Sequence, residues 1–325
     1  MSPTPATGRD AHARAAITIG NFDAVHVGHA ALLAAARLAV GDSGRIIVLC
    51  FDPNPLTVLR PEATPPRITT FAQRERALKA LGATEVVPLR PTPEFLQQSP
   101  EQFIEWCAEN WHPSAIVEGP DFRFGRARAG SITTLRDLEQ RFGYRTLVVD
   151  PVDVALSDQS LVRASSSLVR WLVAHGRIQD ACKVLGRPYE IEATIAAGDK
   201  RGRVLGFPTA NLSTPDQLLP ADGIYAGRAW RESVGEWPAA ISVGSKPTFG
   251  TSERTCEAHL LDYDGPVDDY GWPIRLHFTH WLRDQLMFPD VEALVAQMRR
   301  DMARVRTIMS QSPGTRLQFA GQRSA

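Results

Sequence analysis

The chain has 325 residues, beyond the usual reach of one hydrophobic core, so two domains are expected. Its 36 Lys and Arg balance 36 Asp and Glu, and 43% of residues are hydrophobic, so nothing global points to nucleic acid or an acidic membrane as partner. Cys50, Cys107, Cys182 and Cys256 lie far apart without a CxxC pair, which argues against a zinc ribbon or a disulfide framework and for a reducing cytoplasm. The opening MSPTPATGRDAHARAA has no apolar leader core, and no run of about 18 apolar residues occurs anywhere, so neither export nor membrane spanning is expected.

From Ala15 to about Val149, strands are predicted at AAITIG, RIIVLCF, TEVVPL, SAIVEG and RTLVVD. Helices are predicted between them at AALLAAARLAV, FAQRERALKALG, SPEQFIEWCAENW and SITTLRDLEQRFG. Such alternation implies an α/β doubly wound parallel sheet whose ligands sit beyond the carboxyl ends of the strands. SSSLVRWLVAHGRIQDACKVLG reads as two helices ended by Gly176 and Gly186. The texture then changes: YEIEATIAA, GIYAGRAW, AAISVG, CEAHLLDY and IRLHFTHWL are strands with little helix between them, as in a β-barrel. DVEALVAQMRRDMARVRTIM returns to helical periodicity, with Asp290 as its N-cap. Domains over 15–186 and 187–310 are therefore expected, with flexible ends at 1–14 and 311–325.

Between the first strand and the first helix lies GNFDAVHVGHAALL, residues 20–33, with His26 and His29 three positions apart. A shared metal would need a third ligand, and HExxH is absent. A phosphate fits the physics better: Gly20 and Gly28 let backbone approach a ligand, and the helix start offers free N–H groups and a positive dipole end. Imidazoles there can donate to a triphosphate, in a chain that has no GxxxxGK[ST] loop. From spacing alone, a helix cap that fills the turn is an equal alternative.

In FPTANL the period of two sends Thr209 and Asn211 to one face and Ala210 to the other, so two side-chain oxygens converge as a magnesium–nucleotide site requires. The preceding GDKRGRVLG, with Gly198, Lys200, Gly202 and Gly206 before Pro208, is a glycine-rich basic loop able to lie over phosphates; a solvated hairpin is its plain alternative. In TCEAHLLD, Glu257 leaves the face that carries Cys256 and Ala258.

GNFDAVHVGH resembles the HxGH signature of adenylyl-transferring nucleotidyltransferases, and in its longer form the bacterial bifunctional riboflavin kinase/FAD synthetase family. The resemblance runs from about Ala15 to Thr307 through FDPNP (51–55), EGPDFRFGRARAG (118–130), SSSLVR (165–170), LGRPYEIEATIAAGDKRGRVLGFPTANL (185–212), GIYAG (223–227), VGSKPTFG (243–250) and CEAHLLDYDG (256–265). It implies two activities: riboflavin to FMN with ATP, and adenylylation of FMN to FAD with release of pyrophosphate. For the second, it implies that His26, His29 and Arg170 act on the ATP phosphates with Gly20, Asn21, Phe22, Gly28, Ser165 and Ser166. It assigns Asp121, Phe122, Arg123 and Phe124 to the flavin, although loop phenylalanines also anchor to cores.

For the kinase, the resemblance implies that Glu257 is the general base, that Thr209 and Asn211 hold Mg2+, and that the 198–208 loop holds ATP. The implied partners are ATP, riboflavin and FMN, with neither nucleic acid nor membrane; oligomeric state is not implied. Ala24 stands where the family has glycine, Asn54 where it has histidine, Ser167 for threonine and Ser242 for asparagine, and Gly227 interrupts a strand. The last two are expected not to touch the base or metal candidates. Ala24 and Asn54 leave open a specialised paralogue that has lost one activity or takes another flavin or nucleotide. A flavin-binding regulatory protein without turnover is the alternative from another class.

Overall fold

The structure is a computed structural model that describes residues 14–198, 201–213, 216–245, 254–266 and 269–311. These fall into two compact units. The first holds the described residues up to Pro65 with Phe71–Asp153 and Val162–Ala164; the second holds Pro66–Thr70, Val154–Leu161 and the described residues from Ser165 onward.

The first unit runs β1 (Ala15–Gly20), α1 (Val27–Val40), β2 (Arg45–Phe51), α2 (Leu56–Leu59), α3 (Phe71–Ala80), β3 (Glu85–Leu89), α4 (Pro93–Leu96), α5 (Pro100–Trp111), β4 (Ala115–Glu118), α6 (Ile132–Phe142) and β5 (Arg145–Val148). Its strands form one parallel sheet in the order β3-β2-β1-β4-β5. The strands are apolar throughout because helices cover both faces of such a sheet; Ile17, Ile47, Leu49 and Ile116 are fully buried among Phe103, Cys107 and Leu135. Local chemistry sets the helix ends. Ser99 and Gln102 close a capping box before Pro100, Ser131 and Thr134 close another, and Gly143 ends α6 in the left-handed region. The strand order reverses between β1 and β4, which opens a crevice at the carboxyl end of β1.

A two-stranded sheet, β6 (Asp153–Ala155) and β7 (Leu161–Arg163), comes next. The second unit then has α7 (Ser166–Ala174), α8 (Ile178–Leu185), β8 (Tyr189–Ala196), α9 (Arg201–Val204), β9 (Ala210–Leu212), β10 (Gly223–Arg231), β11 (Gly235–Ser245), β12 (Arg254–Leu260), β13 (Pro273–Arg283) and α10 (Val291–Gln311). Six strands close a barrel in the order β10-β11-β12-β9-β8-β13. Tyr189, Tyr225 and Phe278 are buried, with Phe278 5.5 Å from the Tyr225 ring and 6.2 Å from that of Tyr189. The two tyrosine hydroxyls donate to the Leu218 and Ala221 carbonyls at 2.5 and 2.6 Å, so the rings bury without stranding a polar atom.

The stripe Met302, Val305 and Met309 of α10 packs on Ala226, Ala240 and Leu282. Asp290 caps this helix through the Ala293 amide at 2.7 Å, and Arg283 grips Asp301 at 2.7 Å. The barrel, the terminal helix and its cap are as predicted. The pair α7 and α8 groups with the barrel unit, and the ends at 1–13 and 312–325 lie outside the described residues.

Gly227, which looked like an interruption, sits at a register shift between β10 and β13. A Cβ there would stand 1.8 Å from the His277 carbonyl oxygen, a backbone atom that cannot move aside. Gly227→Ala is therefore expected to lower unfolding stability by about 1–3 kcal/mol, as read by urea unfolding followed through tryptophan fluorescence.

Candidate active sites

The histidine loop begins where β1 leaves the sheet. Phe22, Ala24 and Val25 take positive φ values of 46°, 81° and 46°, and the turn closes through the Val25 amide on the Phe22 carbonyl at 3.1 Å. Three non-glycine residues in the left-handed region hold strain that burial of all three side chains maintains. His26 is the N-cap of α1: its Nδ1 accepts from the Gly28 amide at 3.2 Å, while His29 Nδ1 accepts from the His26 amide at 3.2 Å. The two rings stack at 3.8 Å, and the Phe22 ring lies 4.8 Å from His29. An imidazole whose Nδ1 accepts carries its hydrogen on Nε2, so both rings present a donor at the mouth of a helix N-terminus. A methyl on Gly28 would come within 3.0 Å of the His26 ring, which is why glycine separates the pair. The cap reading is thus seen directly, through Nδ1 of both rings, and it is compatible with a phosphate role because each imidazole has a second nitrogen.

Beside the loop lies a cavity of about 430 Å³, within the range of small-molecule sites. Phe51, Leu56, Phe95, Phe103, Phe122 and Phe124 give it apolar walls, and Ile19, Gly20 and Asn21 of the β1 end complete one side. Phe124 is buried and 6.0 Å from Phe103, so it belongs to the core; it also stacks on Phe122 at 5.3 Å and lines the cavity. Asp121 and Arg123 line the cavity too, and the well-exposed Asp121 pairs with Arg163 at 2.8 Å. Asn54 reaches the same cavity and caps the next turn, its Oδ1 accepting from the Leu56 amide at 2.9 Å.

Two buried ionisable residues at this end of the sheet were assigned no role from the sequence. Glu118, at the end of β4, is 3% exposed, and its Oε1 accepts from the Ile19 amide at 2.6 Å and from Thr18 Oγ1 at 3.4 Å. Burial pushes its carboxyl well above the ordinary range, against the pull of those two donors. Arg74 of α3, 4% exposed, donates to the carbonyls of Asn21 at 2.9 Å and Phe51 at 2.8 Å and pairs with Asp52.

Ser165, Ser166 and Arg170 lie in the second unit. Ser165 Oγ caps α7 through the Leu168 amide at 3.1 Å, Ser166 opens the helix, and Arg170 Nε donates to the Pro66 carbonyl at 2.9 Å.

In the barrel, register brings the kinase candidates together. Asn211 lies directly opposite Glu257 across β9 and β12, and Thr209 Oγ1 donates to Glu257 Oε2 at 3.2 Å. Cys256, Ala258 and Leu260 are buried while Glu257 and His259 are only half-buried, the alternation expected of β12. His259, unmarked by the sequence, bonds the Pro208 carbonyl through Nδ1 at 2.8 Å and so fixes the residue before Thr209. Gly198 abuts the Asn211 amide, which lies 1.9 Å from where a Cβ would stand; Gly202 and Gly206 belong to the turn around α9, and Lys200 lies outside the described residues. Ser242 corrects an expectation. It is the direct cross-strand partner of Glu257, because β11 and β12 pair in that register, and it accepts from Gln285 Nε2 at 3.2 Å.

A family model described as FAD synthetase matches residues 8–162, and one described as riboflavin kinase matches residues 185–309. The bifunctional riboflavin kinase/FMN adenylyltransferase of Escherichia coli K12 is 31% identical over 291 residues, 88% of this chain and 90% of that protein. Its counterpart in Haemophilus influenzae is 30% identical over 289 residues, 88% and 92% of the two chains. The chain belongs to the bifunctional riboflavin kinase/FMN adenylyltransferase family. A crystal structure from Streptococcus pneumoniae, described as a macrolide-efflux protein, is also similar, with a TM-score of 0.80 at 28% identity over 91% of this chain and 95% of that one. Among the described residues no helix is long and apolar enough to cross a membrane.

In the histidine loop, the fully buried Ala24 holds its methyl group in the left-handed region. A methyl at φ 81° costs roughly 1 kcal/mol in strain, and burying it returns about 0.8 kcal/mol. Ala24→Gly is accordingly expected to leave the unfolding midpoint nearly unchanged. Ala24→Val, which puts a β-branched side chain at a fully buried left-handed position, is expected to cost about 2–4 kcal/mol in urea unfolding.

Glu118 supplies a pH test. A carboxyl whose pKa is raised by folding contributes stability that is complete below its unfolded value and lost as pH rises through the folded value. The melting temperature of Glu118→Gln, neutral at every pH, is expected to gain on that of the parent as pH increases from mildly acid to alkaline.

Proposed function

We propose that this enzyme makes FMN from riboflavin and ATP in the barrel and makes FAD from FMN and a second ATP in the parallel-sheet unit. The observation that carries the reading is the convergence on Glu257 of Asn211, its cross-strand partner, and Thr209, its hydrogen-bond donor, in a chain that also carries the histidine loop. We assign adenylyl transfer to residues 15–186 and the kinase to 187–310, although α7 and α8 within the first range group with the barrel unit.

In the kinase, Glu257 takes the proton from the ribityl 5′-hydroxyl as that oxygen attacks the γ-phosphorus; the bond from the γ-phosphorus to its bridging oxygen breaks and ADP leaves. The hydroxyl of Thr209 and the amide oxygen of Asn211 are oxygen donors of the kind that would hold magnesium, beside the Glu257 base. Bound there with the ATP phosphates, Mg2+ supplies neutralisation of charge on the transferred group. Gly198, Gly202, Gly206 and Pro208 belong to the segment assigned to those phosphates, and His259 holds Pro208 in place; Lys200, assigned with them, lies outside the described residues.

In the adenylyltransferase, an FMN phosphate oxygen attacks the α-phosphorus, the bond to the β,γ-phosphates breaks and pyrophosphate leaves. The attacking oxygen is already anionic, so the histidines have no proton to remove. Their task is to donate from Nε2 to charge that grows on the phosphates, beside the amides of the α1 N-terminus. Asn21 orients the nucleotide with Gly20, Phe22 and Gly28; Ser165, Ser166 and Arg170 are the further phosphate contacts that the resemblance implies. The aromatic cavity takes the flavin ring, with Asp121, Phe122, Arg123 and Phe124 on one side. The substrates are small molecules, and the four free thiols support a cytoplasmic setting.

The test is incubation of pure protein with riboflavin, ATP and magnesium, followed by chromatography of the flavins. FMN and then FAD are expected. FMN without FAD would remove the adenylyltransferase and leave a specialised paralogue, to which Ala24 and Asn54 point; turnover of neither would leave a binding protein. Glu257→Gln is expected to slow FMN formation by about 10²–10⁴-fold while FAD still forms from supplied FMN, and undiminished FMN formation would exclude Glu257 as the base.

A further inference from the structure

The last three residues before the histidine loop, Ile19, Gly20 and Asn21, form one wall of the aromatic cavity, yet the sheet does not hold them from the β4 side. Pairing of β1 with β4 joins Ala16 to Ala115 and Ile17 to Ile116. In the same register Glu118 falls opposite Ile19, and there its side chain takes over: Oε1 accepts the Ile19 amide hydrogen at 2.6 Å. Two residues on, the Asn21 carbonyl is held by Arg74 Nη1 at 2.9 Å, and the same nitrogen also holds the Phe51 carbonyl, another part of the cavity wall, at 2.8 Å. Asp52 fixes the second guanidinium nitrogen. Both residues are almost completely buried, so neither exchanges its partners for water.

We propose that Glu118 and Arg74 are positioning residues for FMN adenylylation, clamping the amide of Ile19 and the carbonyl of Asn21 so that the end of β1 stands open as a wall of the flavin site. The proposal rests on the assignment of adenylyl transfer to this unit. Neither side chain lines the cavity, so neither is a catalytic residue. What each supplies is a hydrogen-bond partner at a fixed place: an acceptor from Glu118, and from Arg74 one nitrogen that holds two strand ends while Asp52 anchors the other. It follows that an uncharged acceptor can replace Glu118, while a side chain with a single nitrogen cannot hold both carbonyls and keep the Asp52 anchor.

The test is steady-state FAD formation from FMN and ATP at neutral pH, with FMN formation from riboflavin by the same chain as the internal control. Glu118→Gln keeps the acceptor and is expected to hold the FMN KM within twofold of the parent. Glu118→Leu removes it and is expected to raise that KM about tenfold, with kcat within threefold and FMN formation unchanged. Arg74→Lys keeps the charge but cannot reach Asn21, Phe51 and Asp52 together, and is expected to raise the FMN KM at least fivefold. An unchanged KM in Glu118→Leu, or a loss in Glu118→Gln equal to that in Glu118→Leu, would overturn the proposal. If Glu118→Leu fails to fold, Arg74→Lys decides: a raised KM supports the clamp and an unchanged one overturns it. Failure of the parent to form any FAD would instead strike the assignment of adenylyl transfer, not the clamp.

Discussion

The first unit depends on how β1 ends. A strand at the switch point of a doubly wound sheet must give up its ladder partners to open a crevice, and each backbone group so released needs a substitute. Side chains supply two of them and also cap the helix that follows. Glu118 takes the Ile19 amide, Arg74 takes the Asn21 carbonyl, and His29 and His26 take the amides of His26 and Gly28. The strained turn at Phe22, Ala24 and Val25 persists because these contacts fix both its ends. The same hydrogen bonds that satisfy the backbone also orient both imidazoles, so cap and turn are a single construction.

The second unit meets a similar demand by register. A barrel has no free edge, and its pairing decides which side chains share a face. Asn211 opposite Glu257 and Ser242 on the other flank of Glu257 put three oxygen-bearing side chains in line across β9, β12 and β11. Gly227 permits the close approach of β10 and β13 that the closed barrel requires, and α10 covers the apolar exterior left on β10 and β11.

Much of this was legible in the sequence because it rests on local patterns. Apolar runs bounded by turns gave the parallel strands, alternation in CEAHLLD gave the facing of Glu257, and Asp290 marked a helix start. The side chains that hold β1 were not legible. Glu118 ends an apolar strand run and Arg74 sits in a charged helix, and only the folded register brings them to Ile19 and Asn21. Ser242 was misplaced for the same reason: its nearness to Glu257 depends on the pairing of β11 with β12, which local periodicity does not specify. For the histidines, the helix cap is what the fold displays through Nδ1, and it does not exclude a phosphate role because each ring has two nitrogens.

The claim at the centre of this account is that backbone amides hold Nδ1 of both histidines and leave the hydrogen on Nε2. Nitrogen-15 NMR of the histidine-labelled enzyme at neutral pH reads the tautomer directly. The account predicts that His26 and His29, assigned by single substitution, are both the Nε2–H form before any nucleotide is added. An Nδ1–H form at either residue would contradict it, because that nitrogen could not then accept the amide that caps α1.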